Sequence, residues 1–126
     1  MKHEDAVLIS AYTGFLLTKD FDDVHEFCEQ LLQRPILSHE FALDSLQNEI
    51  KKKCQPLIRD TTLRMNWDEL TLLSAYTGYM LMPDFSYIRN FCCKILGHDV
   101  TRDDFSSELF VRDLRQKLKP LIINMI

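Results

Sequence analysis

Four groups of residues in this 126-residue chain have types and spacing suited to chemistry: two His-Glu pairs, a Cys-Cys pair and a set of aspartates. His39-Glu40 matches the start of the H-E-x-x-H zinc helix, which needs a second histidine one turn on. Neither Ala42 nor Leu43 supplies it, so the pair reads as a helix N-terminus with an exposed glutamate. His25-Glu26 lies between the apolar positions Val24 and Phe27 and reads as a solvated helix face. Cys92 falls on an apolar stripe and Cys93 faces out beside Lys94, and the pair is not expected to do redox chemistry. Asp20, Asp22, Asp23, Asp84, Asp103 and Asp104 cluster at expected helix starts, where the helix dipole favours negative charge. The Asp20-Phe21-Asp22-Asp23 stretch has too few oxygen ligands for a calcium site. Glycine-rich phosphate loops and the G-x-S-x-G nucleophile turn have no counterpart here. The expectation is a protein that is not an enzyme and holds no metal or cofactor.

Charge narrows the partners. The chain has 15 basic and 19 acidic residues, a net charge of −4. Nucleic-acid grooves need concentrated positive charge, and the one basic run, Lys51-Lys52-Lys53, is expected at a helix end, so direct nucleic-acid binding is not expected. A bilayer-spanning apolar run and a secretory cleavage pattern are both missing, which points to the cytoplasm and away from membranes. Cys28, Cys54, Cys92 and Cys93 lack zinc-like spacing and are expected as reduced, mostly buried thiols.

The elements that position these residues come in two sets. A shift of 64 residues lays Ser10–Ile58 on Ser74–Ile122 without a gap, and 16 of the 49 pairs are identical. Chance would give about three. The chain is therefore expected as two tandem three-helix repeats, residues 1–58 and 66–126, joined by a connection over residues 59–65, in one compact all-α domain of about six helices.

Each repeat reads as follows. A first helix covers about Glu4–Thr18, with Leu8, Ala11, Tyr12 and Phe15 on one face; Asn66 and Glu69 would cap its second copy. Asp20 and Asp84 cap a second helix, with Val24, Phe27, Cys28 and Leu31 against Ile88, Phe91, Cys92 and Ile95. Gly97 ends it in the second copy, as Arg34-Pro35 does in the first. Ser38 and Thr101 open a third helix whose stripe is Leu46, Ile50, Cys54 and Leu57, against Phe110, Leu114, Leu118 and Leu121. Pro56 and Pro120 bend or end it.

The longest identity is Ser-Ala-Tyr-Thr-Gly, at residues 10–14 and 74–78. Five consecutive positions go all the way round a helix, so the first helix of each repeat is expected to be contacted on more than one side. Close packing explains this if something offsets the cost of about 1 kcal/mol for a glycine inside a helix. Alternatively, Tyr12, Thr13, Tyr76 and Thr77 offer two related sets of hydroxyls to a symmetric partner or a small ligand. Tyr87, standing where the first repeat has Asp23, and Trp67 are candidates for an asymmetric contact surface, because aromatics anchor interfaces.

SAYTGFLL, DFDDVHEFCEQLL and QRPILSHEF together resemble a family of small, mostly phage-encoded proteins of unknown function. The second repeat keeps SAYTGYML and DFSYIRNFCCKILG but has HDVTRDDF in place of RPILSHEF. The resemblance implies a phage or prophage gene acting in the host bacterial cytoplasm. Its expected role is to bind and inhibit a host protein, including a defence system of the anti-CRISPR kind. The alternative is a binder of a small, nucleotide-like ligand. The C-terminal run Leu121–Ile126 would be costly to expose and is expected to pack on the domain or on a second chain, so a homodimer is among the expected states.

Overall fold

A computed structural model of the chain describes residues 1–125, so Ile126, the last residue of the apolar run, lies outside the described residues. All the described regular structure is helical. Six α-helices run α1 (His3–Thr13), α2 (Asp22–Leu32), α3 (Asp44–Arg64), α4 (Trp67–Thr77), α5 (Phe85–Leu96) and α6 (Glu108–Met125). A single 3-10 turn precedes α3 (Ser38–Ala42), and another precedes α6 (Arg102–Ser106). The chain divides into two compact units at Arg64/Met65.

Shifting the first unit's elements by 64 residues reproduces the second unit's nearly residue for residue. Three apolar stripes close each unit. In the first, α1 packs chiefly on α3 and then on α2; in the second, α4 packs on α6 and α5. Val24 and Cys28 of α2 are buried, as are Ile88 and Cys92 of α5. Residues 6–10 of α1 and 70–75 of α4 are buried without interruption. Within the pentapeptides Ser10, Thr13, Ser74, Ala75 and Thr77 are buried, Ala11, Tyr12 and Tyr76 are half-buried, and Gly14 and Gly78 are exposed.

Several helix limits differ from expectation, each for a local reason. α1 stops at Thr13, not Thr18, because Gly14 turns the chain into the left-handed region at φ 80°. Gly78 does the same after α4. The glycines are therefore helix caps, and no mid-helix cost needs offsetting. Ser38 and Thr101 lead into the 3-10 turns, and the third helices start six or seven residues later. α3 continues to Arg64, so most of the expected connection is helix, and Lys51–Lys53 lie in the middle of α3. Pro56 and Pro120 sit within their helices. Both prolines are exposed, as are Lys52 and Gln116, the residues whose carbonyls lose the N–H donor four positions on. The buried stripe also passes to Ile58 and Ile122, leaving Leu57 and Leu121 about 40% exposed.

The second helices end alike but on different residues. Gly97 takes φ 76° after α5, and Gln33 takes φ 57° after α2. A side chain at either position meets open space, since nothing lies within 4 Å of a Cβ at Gly97. The left-handed conformation costs an L-residue about 1–2 kcal/mol, of which glycine's greater unfolded-state freedom takes back about 0.5–1. Gln33→Gly is expected to stabilise the first unit by about 0.5–1 kcal/mol. Gly97→Gln is expected to destabilise the second by a similar amount, both read by urea denaturation.

Candidate functional site

The serine and threonine hydroxyls of the repeated pentapeptide are spent on the backbone. At the end of α1, Ser10 donates to the Ala6 carbonyl at 2.7 Å, and its oxygen accepts the Leu17 N–H at 2.9 Å. Thr13 donates to the Ile9 carbonyl at 2.7 Å and accepts the Phe15 N–H at 3.3 Å. Gly14 N–H closes the helix on the Ser10 carbonyl at 2.9 Å. The second unit repeats the pattern. Ser74 accepts from Leu81 N–H at 3.1 Å, Thr77 donates to Leu73 and accepts from Tyr79, and Gly78 closes on Ser74. Each bond needs that residue type at that position. Two hydroxyls fold the chain back after the helix, and the glycine permits the turn.

Thr13 and Thr77 are 5% and 2% exposed, so their hydroxyls are not available to a ligand. Tyr12 and Tyr76 are half-buried, one in each unit. The Tyr76 carbonyl accepts Arg115 Nε–H at 2.9 Å. A cleft of about 480 Å³ in the second unit is lined by Ser106, Ser107, Glu108, Arg112 and Arg115 among others, and by neither tyrosine.

Several of the titratable groups that looked chemical have structural partners. His25 Nε2 donates to the Ile36 carbonyl at 2.6 Å while Glu29 accepts the Ile36 N–H at 2.9 Å, so α2 grips both polar groups of one loop residue. The imidazole also packs against Phe41 and Phe21. Arg89 and Cys93 stand at those two positions in the second unit. The edge-to-face pair Phe21–Phe41 is repeated there as Phe85–Phe105, and the ring cluster is completed by Phe110 and by Arg102 over the Phe85 ring at 4.9 Å, where the first unit has the His25 imidazole. Glu40 accepts the Leu37 N–H at 3.2 Å and pairs with Arg34. Those two contacts, the backbone one first, hold its carboxyl below the usual range. Asp104 caps the other turn on Thr101 N–H at 2.9 Å. Asp20 accepts the Asp22 N–H, as Asp84 accepts that of Ser86. Among the described residues, no cluster of three or more His, Cys, Asp or Glu could hold a metal.

Trp67 and Tyr87 do come together. Trp67 opens α4 after the Asn66 cap, whose side chain accepts the Asp68 N–H at 2.7 Å, and Tyr87 lies in the first turn of α5. Their ring centroids are 5.0 Å apart at 78°, and the residues are 49% and 50% exposed. Sixty-four residues earlier stand His3 and Asp23, which bond to each other at 2.9 Å. One place in each unit, where the first helix begins beside the second, thus carries a hydrophilic pair in one copy and a large exposed aromatic pair in the other. Sequence reasoning singled out Trp67 and Tyr87 separately and missed His3. Applying the 64-residue shift to Trp67 would have found it.

A protein-family model described as a domain of unknown function (DUF7736) matches residues 3–60, from the start of α1 into the last turns of α3. No curated protein and no solved structure matches the chain.

The cysteines make a pH-dependent contribution. Cys28, Cys54 and Cys92 are at most 1% exposed, and burial pushes their thiols up from 9.0 to about 11, 12 and 11. Below pH 9 these thiols are neutral in folded and unfolded chains alike. Above it the unfolded chain releases protons that the folded one keeps, so stability falls as pH rises from 9 through 11. Urea midpoints taken from pH 8 to 11 are expected to drop, and to drop less steeply in Cys92→Ala, which has one such thiol fewer.

Proposed function

We propose that this chain is a non-enzymatic phage or prophage accessory protein that binds a bacterial host protein in the cytoplasm and inhibits it, with a host defence system as the target class. The reading is carried by one observation, the Trp67–Tyr87 pair held half-exposed on the second unit where the first unit has His3–Asp23. Large aromatics held rigidly at a surface supply contact area at low entropic cost and anchor protein interfaces. The phage side of the reading rests on the resemblance of SAYTGFLL, DFDDVHEFCEQLL and QRPILSHEF to small phage proteins. Sequestering a small nucleotide-like ligand has less support, because the Thr13 and Thr77 hydroxyls it would use are buried and bonded to backbone.

Affinity capture from bacterial lysate, with quantitative mass spectrometry, tests the proposal. The tagged intact chain, a Trp67→Ala/Tyr87→Ala double variant and a Leu109→Ala control are compared, each first checked for an unchanged helical circular-dichroism signal. One host protein is expected at near-stoichiometric yield with the wild type and the control. The double variant is expected to lose it by roughly tenfold or more, as for removal of interface hot spots. A bare bait, or equal capture by all three, contradicts the proposal.

A further inference from the structure

We infer that the Trp67–Tyr87 corner receives an arginine side chain from a basic segment of the partner protein, an assignment that rests on the interaction reading above. The rings meet edge to face at 78° with about half of each residue open to solvent, so ring surface is left for an incoming group. Indole and phenol faces attract cations, and a planar guanidinium stacks on them while keeping its hydrogen bonds.

The local charge selects the same partner. Asp68 follows Trp67 on α4, and Asp84 sits one turn before Tyr87 at the start of α5; both are exposed. Asp84 accepts the N–H and hydroxyl of Ser86, which hold its carboxyl below the usual range, so it stays anionic. α4 carries no lysine or arginine along its length. On α5, Arg89 lies two positions from Tyr87, about 200° round the helix, and Lys94 lies two turns on, about 10 Å along the axis. Arg102 is engaged over the Phe85 ring, two positions and about 200° round α5 from Tyr87, and Arg64 ends α3 three residues before Trp67. The carboxylates of Asp68 and Asp84, close to the rings in sequence, favour arginine there over an acidic segment. In the first unit the same place is occupied by His3 and Asp23, which satisfy each other and leave no aromatic face.

Trp67 is the chain's single tryptophan, so its fluorescence reports this place alone. The intact protein is titrated with acetyl-triarginine amide, acetyl-trilysine amide and acetyl-trileucine amide. A saturable change in emission is expected with triarginine, at concentrations about two- to fivefold lower than with trilysine. Tyr87→Ala should weaken the triarginine response by a similar factor, and Tyr87→Phe should restore it. Equal responses to triarginine and trilysine would mean plain charge attraction and overturn the assignment. A stronger response to trileucine would overturn it while leaving the interaction reading intact, and silence with all three peptides would overturn it too. Loss of the captured host protein in the double variant decides the interaction reading separately.

Discussion

A helix that ends must dispose of its last carbonyls, and the chain leaving it must dispose of its first amides. In each unit this constraint falls at the end of the first helix, where Ser10, Thr13 and Leu17, like Ser74, Thr77 and Leu81, are buried. Ser10 and Thr13 meet it by acting as donor to the turn behind and acceptor from the segment ahead. Ser10 brings the Leu17 amide back to the helix, and the Leu17 side chain is 2% exposed. Ser74 places Leu81 in the same way. A buried amide left unpaired costs about 1–3 kcal/mol, comparable to the burial of the leucine it would release. These bonds account for the serine, threonine and glycine of the pentapeptide in both copies.

With that frame held constant, the two units are free to differ elsewhere. Both copies pack the 3-10 turn on an edge-to-face phenylalanine pair, Phe21–Phe41 and Phe85–Phe105. The first adds the grip of His25 and Glu29 on the Ile36 backbone, and the second adds Phe110 and Arg102 to the rings. At the start of the first helix, the change from His3–Asp23 to Trp67–Tyr87 removes a hydrophilic pair that water tolerates and installs apolar area that a partner can cover.

The helical class and the 64-residue repeat were legible because apolar residues recur at helical spacing and sixteen identities survive in register. Helix limits were less legible. Phe15, Leu16 and Leu17 continue the apolar pattern of α1 past its real end, so only the backbone angle at Gly14 marks the stop. Pro56 and Pro120 read as stops, yet they lie on the exposed side of helices whose opposite side buries Ile58 and Ile122. At the candidate site, residue type alone pointed to Trp67 and Tyr87. For Thr13 and Thr77 the sequence left close packing and a hydroxyl-bearing surface both open, because composition cannot tell a hydroxyl that faces water from one bonded to the preceding turn; the structure bonds both to the turn before.

The central claim is that the Ser10 and Ser74 hydroxyls hold the returning chain against its helix. Native-state hydrogen exchange at the Leu17 and Leu81 amides tests it most directly. Both amides are expected to exchange only with the global unfolding of their unit, and Ser10→Ala is expected to release Leu17 while Leu81 stays protected. Fast exchange at Leu17 in the unaltered protein, or protection there that survives Ser10→Ala, would contradict the account.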